Sequence, residues 1–167
     1  MPKRSAGLLL FRRTDGAVEV LLAHPGGPFW ARRDEGAWLI PKGEYDEASE
    51  EPLGAALREF AEETGCAAPG GPLLPLGEVA QSRAKTVTAY AVEADFDPET
   101  LSPGTTEIEW PPRSGRRLVI PEIDRVGWFP LAEAKLKILP GQAAFLDRLA
   151  EALSREPGRP PAPRPAP

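Results

Sequence analysis

Apolar positions fall along the chain in short blocks separated by turn residues, and the blocks change period. Residues 5–12 carry an almost unbroken apolar run, Ala6-Gly-Leu-Leu-Leu-Phe11, which predicts a buried strand. Thr14-Asp15-Gly16 supplies a turn, and 18–24 reads as a second strand. Pro25-Gly26-Gly27-Pro28 ends that strand and opens a loop over 26–36 that carries Phe29 and Trp30. A third strand is expected at 37–40, running into Pro41-Lys42-Gly43. From about Glu51 to Thr64 the period becomes helical, with Leu53, Leu57 and Phe60 on the side expected to pack inward and Ala56 and Ala61 widening it. Pro52 suits the first turn and Gly65 the left-handed terminus.

Strands are expected again at 73–81 and 85–94, followed by a stretch from Asp95 to Gly115 rich in Pro, Gly, Ser and Thr. Within it, 106–110 and 117–120 are expected to pair as a hairpin across Pro111-Pro-Arg-Ser-Gly115. A final strand is placed at 124–129, a short helix at 131–137 and a last one at 141–154, with Phe145, Leu146, Leu149 and Leu153 on one side. The Pro-, Ala- and Arg-rich tail, 156–167, is expected to be extended and solvated. One domain over 1–155 is the organisation these blocks imply, since 167 residues suffice for one core and not for two.

Composition removes several chemistries. With one cysteine, Cys66, and one histidine, His24, no disulfide, thiolate-zinc or His-rich metal site can be built within the chain, and any bound metal must take oxygen ligands, which favours Mg²⁺ or Mn²⁺. A net charge of −5 argues against nucleic acid as a partner. The apolar run at 6–11 is too short for a signal core or a membrane span, so a cytoplasmic protein without membrane contact is expected. His24, ending a strand, reads as structural, and Trp38 and Trp128 read as core. Oligomeric state is not legible.

The polar face of the 51–64 helix carries Glu59, Glu62 and Glu63, spaced i, i+3, i+4 and so gathered within an arc of about 100°. As ordinary structure this is unfavourable. Like charges at i, i+4 cost roughly 0.2–0.5 kcal/mol, and anions near a helix C-terminus about 0.3–1 kcal/mol. A divalent cation removes both objections. Around these residues, Gly43, Glu50, Arg58-Glu59, Glu62-Glu63-Thr64-Gly65 and Cys66 closely resemble the Nudix box, with its seven-residue gap between Glu50 and Arg58. The segment from Gly43 to Glu50 is one residue longer than the family pattern, and the extra residue falls in the loop 44–49. Flanking segments resemble the family too: Ala6-Gly7, Trp38 with Pro41-Lys42-Gly43, and Glu122-x-Asp124-x-x-x-Trp128-Phe129 followed by Ala132-Glu133-Ala134, together spanning roughly 4–150.

The resemblance implies an α/β fold, a mixed sheet sandwiched between helices. It implies a metal-dependent phosphoanhydride hydrolase acting on a small nucleotide, with Glu59, Glu62 and Glu63 as metal ligands and catalytic groups. The Gly43 carbonyl would be a further ligand, and Arg58 with Glu50 a structural brace. For the base that takes the water proton it points to Glu62 or Glu63, with Glu107 and Glu109 as outside candidates. Lys42, Arg113, Arg116 and Arg117 are candidate phosphate contacts, and Trp30 and Trp110 candidate stacking partners for a base. The general spacing looks most like members that hydrolyse dinucleoside polyphosphates or nucleoside triphosphates. A nucleotide sugar or diphosphoinositol phosphate is the alternative substrate, and a non-catalytic nucleotide-binding module the alternative class.

Overall fold

The computed structural model describes residues 2–156; the tail beyond 156 lies outside it. Strand β1 (Lys3–Thr14) is the axis of the architecture. One edge pairs in parallel with β5 (Lys85–Glu93). The other edge is shared by two antiparallel partners: β3 (Lys42–Glu44) opposite Ser5–Gly7 and β2 (Ala17–Pro25) opposite Phe11–Thr14. With β4 (Leu73–Ser82) beyond β5, and β8 (Ile123–Pro130) beyond β2, the order is β4-β5-β1-β2-β8, a mixed sheet.

The unbroken apolar run of β1 follows from burial on both faces. Leu8 and Leu10 turn to the layer of helix α1 (Pro52–Thr64), where they meet Phe60, Leu21, Val92 and Ile123. Leu9 and Phe11 turn the other way, toward α2 (Leu131–Lys137) and α3 (Ala143–Ser154), packing with Phe145, Leu146 and Leu149. This is an α/β/α sandwich, as expected. Among the described residues no helix is long and apolar enough to cross a membrane.

Three elements differ from the sequence reading. Residues 37–40 are not a strand. Their backbone pairs with β2 at a single Ala23–Leu39 bridge and with the later chain at Trp38–Ile138. The Ile40 N–H donates to the buried Gln142 side chain at 3.0 Å, so a ladder donor is used by a side chain, and pairing resumes only at β3 after Pro41. On α1, Leu53 is exposed, whereas Ala55, Ala56, Glu59 and Phe60 are buried. Two alanines let α1 approach Ala6 of β1 closely, and that close approach turns Glu59 inward rather than Leu53. Trp128 is half-buried rather than core, its outer face covered by the Arg12 guanidinium at 4.2 Å.

The expected hairpin is present as β6 (Thr105–Glu109) and β7 (Arg117–Pro121), a two-stranded sheet separate from the main one. Helix α1 stops at Gly65, whose φ of 72° is left-handed and whose N–H caps the Ala61 carbonyl. A Cβ there would lie 2.1 Å from the Ser102 carbonyl oxygen, so both conformation and space require glycine.

Candidate active site

The short strand β3 and the second half of α1 meet at one end of the sheet. An ideal Cβ at Gly43 would fall 1.9 Å from Oε2 of Glu59, so the carboxylate lies directly against the glycine backbone. One position earlier, the Lys42 N–H donates to Oε2 of Glu63 at 3.0 Å. The inserted residue does not disturb this contact. The loop between β3 and α1 closes on Asp46, whose carbonyl accepts from Ser49 and Glu50 N–H and whose side chain accepts from Ala48 N–H. The extra length is taken up there, and Gly43 stays opposite Ala6.

Arg58 organises the outer side. Its Nε and Nη2 donate to both oxygens of Glu50 at 2.8 Å, a bidentate fork, while Nη1 reaches Glu59 at 2.9 Å and Glu62 at 3.1 Å. Hydrogen bonding to Arg58 holds Glu50 below the usual carboxylate range. Burial raises Glu59, against the opposing pull of Arg58, and Glu62 and Glu122 raise it further. Glu63 is pushed up to about 8, first by burial and then by the nearby negative charges of Glu122 and Glu59, with the Lys42 amide opposing. Burial, reinforced by Lys85, lowers Lys42.

Beside these carboxylates opens a cavity of about 410 Å³ between the 26–36 loop and the β6–β7 hairpin. Its lining combines Phe29 and Trp30 from the loop, Thr106, Ile108 and Ile120 from the hairpin, and the carboxylates of Glu63 and Glu122. The loop seats tightly on the hairpin, because Gly26 approaches the Pro121 carbonyl so closely that a Cβ would fall 2.0 Å from its oxygen.

The predicted residues distribute unevenly around this space. Glu63 and Trp30 line it, and Lys42, Gly43 and Glu59 lie behind Glu63 through the Lys42 N–H bond and the Gly43–Glu59 contact. Glu62 is more than half exposed and held by Arg58, so among the described residues no three acidic side chains converge as a preformed cage. Glu107 and Glu109 face away. Strand side chains alternate, and Thr106 and Ile108 take the cavity face, leaving Glu107 to pair with Arg117 at 3.6 Å on the opposite side. Arg117 shares that outer face, being paired across the ladder with Glu109. Arg113 and Arg116 sit on the exposed hairpin turn, and Trp110 is half-buried at its base, none of them lining the cavity. Glu122 is the residue that sequence reasoning passed over as a site group. The signal was the Glu122-x-Asp124 segment, which marked a flank without assigning it a role.

His24 is fully buried, with Nδ1 2.9 Å from Asp124 and Nε2 2.6 Å from the Arg33 carbonyl, the structural placement expected of it.

Among solved structures the chain is similar to the NUDIX domain of Shewanella oneidensis NrtR complexed with ADP ribose. The TM-score is 0.60 at 19% identity, over 92% of this chain and 89% of that one. It is similar to the Ap4A hydrolase of C. elegans at TM-score 0.59 and 20% identity, over 91% and 98%. These two likenesses concern the fold. A Nudix hydrolase from M. smegmatis, RenU, aligns at TM-score 0.58 and 27% identity, over 95% and 90%. No curated protein matches. The model of the NUDIX domain matches residues 1–149, nearly all the described fold, and the chain belongs to the Nudix family as a hydrolase.

Proposed function

We propose that this hydrolase cleaves a phosphoanhydride bond of a nucleotide in a divalent-metal-dependent reaction, with a dinucleoside polyphosphate or a nucleoside triphosphate as substrate. The observation that carries this reading is the cavity itself, where an aromatic and aliphatic slot ends on carboxylates. An apolar pocket with a few convergent polar groups is the usual form of a small-molecule site. Phe29 and Trp30 offer faces to a base, and the acidic end lies where a phosphate chain would extend from it.

The donor set fits Mg²⁺ or Mn²⁺. Every group at the acidic end offers hard oxygen, and a cation would relieve the burial of Glu59 and Glu63 and the repulsion that the Glu122 charge adds to both. Glu59, Glu62 and Glu63, with the Gly43 carbonyl, would hold it. When bound, such a metal neutralises phosphate charge and lowers the pKa of coordinated water. The chain's own residues do the rest. The Lys42 amide orients Glu63, and Arg58 holds Glu59 and the exposed Glu62 side by side on the helix. Glu62 and Glu63 remain candidates for taking the water proton. Glu122 joins them as the second carboxylate lining the cavity beside Glu63.

The test is hydrolysis in Mg²⁺ of a panel of dinucleoside polyphosphates, nucleoside triphosphates, nucleotide sugars and diphosphoinositol phosphates, with Glu59→Gln and Glu63→Gln alongside. Turnover of one class by the wild type, abolished by EDTA and by either substitution, is the expected result. Turnover unaffected by EDTA would refute the metal mechanism. A wild type that binds nucleotide without hydrolysing any of the panel would favour a binding module on the same fold.

A further inference from the structure

The 26–36 loop is tied to the protein at its ends through Gly26, Asp34 and Gly36, and its aromatic segment meets the buried protein through Arg33. Its N–H closes a turn on the Trp30 carbonyl at 2.9 Å. Its guanidinium lies over the Phe29 ring at 4.4 Å and within 5.6 Å of Trp30, which themselves meet edge to face at 5.0 Å. Its carbonyl, 2.6 Å from Nε2 of His24, is where this exposed cluster meets a fully buried side chain. The other ring nitrogen, Nδ1, lies 2.9 and 3.1 Å from the two oxygens of Asp124 on β8, two residues past Glu122. The ring is fixed edge-on against Trp38, whose Nε1 donates to Asp34, the residue after Arg33.

From this geometry we propose that His24 is a positioning residue for substrate binding. Bridging Asp124 and the Arg33 carbonyl, it holds the Phe29–Trp30 wall at a fixed distance from the acidic end of the cavity. Its two ring nitrogens face the Asp124 carboxylate and the Arg33 carbonyl, one on each side of the ring. Asp124 also lies 3.5 Å from Arg125, whose guanidinium covers Trp38, and these are the charged neighbours β8 brings to the imidazole. The link needs a side chain that spans two elements, and the His24 ring that does so is fully buried.

This inference rests on the cavity being the nucleotide site, but its test does not depend on activity alone. Asn in place of His24 retains a donor near Nδ1 and loses the reach to Arg33, whereas Gln retains the reach and loses the Asp124 contact. We expect His24→Asn, which loses the Arg33 contact, to raise KM about tenfold with kcat little changed, and His24→Gln, which keeps that contact and loses only Asp124, to raise KM by clearly less. Hydrogen exchange without ligand should show faster exchange of the 29–33 amides in His24→Asn, with the β1 and β5 amides unaffected in both variants. Arg33→Ala, which keeps the carbonyl, should leave that amide protection in place while raising KM. Unchanged 29–33 exchange in a folded His24→Asn, or equal KM effects of Asn and Gln, would overturn the positioning role. A wild type inert on every substrate would instead overturn the hydrolytic reading, and the exchange result would stand by itself.

Discussion

Replacing Gly43 by alanine isolates the Gly43–Glu59 contact on which the proposed metal site depends. The new Cβ would lie 1.9 Å from Oε2 and 2.6 Å from Oε1 of Glu59, against an ordinary contact of 3.4 Å or more, so the carboxylate must retreat by about 1.5 Å. The backbone itself is not strained, since Gly43 is extended strand paired with Ala6. Glu59 ends a flexible side chain and Arg58 keeps its Glu50 and Glu62 partners when Glu59 moves. The fold should therefore lose about 1 kcal/mol at most, partly offset by the roughly 0.5–1 kcal/mol that alanine gains over glycine in a strand. Metal coordination tolerates errors of about 0.2 Å, and a displacement several times larger removes Glu59 from the ligand set. The expected result is a Tm within a few degrees of wild type, kcat/KM reduced at least 100-fold, and Mg²⁺ affinity weakened in isothermal titration. Gly54→Ala on the same helix, where a Cβ meets nothing within 4 Å, is the control and should be neutral or slightly stabilising. Wild-type activity in a folded Gly43→Ala protein would refute the placement of Glu59 at the metal.

In EDTA, Glu63→Gln should stabilise the protein. A carboxyl raised from 4.5 to about 8 on folding contributes fully below pH 4.5 and loses that contribution as pH rises to about 8, a ceiling of about 4–5 kcal/mol. Urea unfolding should then show no difference at pH 4 and a growing advantage of Gln up to pH 8, and a difference independent of pH would contradict this. Arg58→Lys keeps a cation but not the fork, and should cost about 1–2 kcal/mol after allowance for the partial exposure of the site, measured by the same unfolding assay. Gly65→Ala combines a left-handed residue with a carbonyl at 2.1 Å and should destabilise by about 2–4 kcal/mol, visible as a loss of Tm without a selective change in KM. Trp30→Ala should raise KM for nucleotide about tenfold with little effect on kcat, and an unchanged KM would remove the aromatic wall from the site.

What was legible in the sequence was whatever local spacing determines. The helix, its caps, the box carboxylates and the Arg58–Glu50 contact all lie within one short segment, where period and spacing are enough. The strand run of β1 was legible for the same reason, because burial on both faces writes itself as a continuous apolar block. The failures have a common physical origin. Leu53 was read as inward because large apolar residues were weighted over small ones, yet Ala55 and Ala56 decide which side of α1 approaches the sheet. Residues 37–40 read as strand because their pattern is strand-like, but the donor that would continue the ladder goes to Gln142, far along the chain. Glu107 and Glu109 were plausible until the register of β6 placed their neighbours Thr106 and Ile108 on the cavity face. Glu122 enters the site only through tertiary closure of the hairpin onto the loop.

The two sides of the Arg58 guanidinium carry the last step of the argument. Nε and Nη2 are committed to Glu50, while Nη1 alone is shared by Glu59 and Glu62. The first pair of bonds anchors the loop before α1 and has no competitor. The second pair occupies two of the three carboxylates expected to ligate a cation, and each is a single hydrogen bond. A divalent ion at Glu63 and the Gly43 carbonyl would draw Glu59 and Glu62 from Nη1 without disturbing the fork on Glu50. Arg58 thus serves as a resident cation for an acidic helix end that would otherwise be unfavourable, and its geometry lets that role lapse when a metal arrives. Locally unfavourable charge, tolerated through one exchangeable bond on each carboxylate, would let this helix be stable without metal and leave Glu59 and Glu62 free to turn to one under the proposed mechanism.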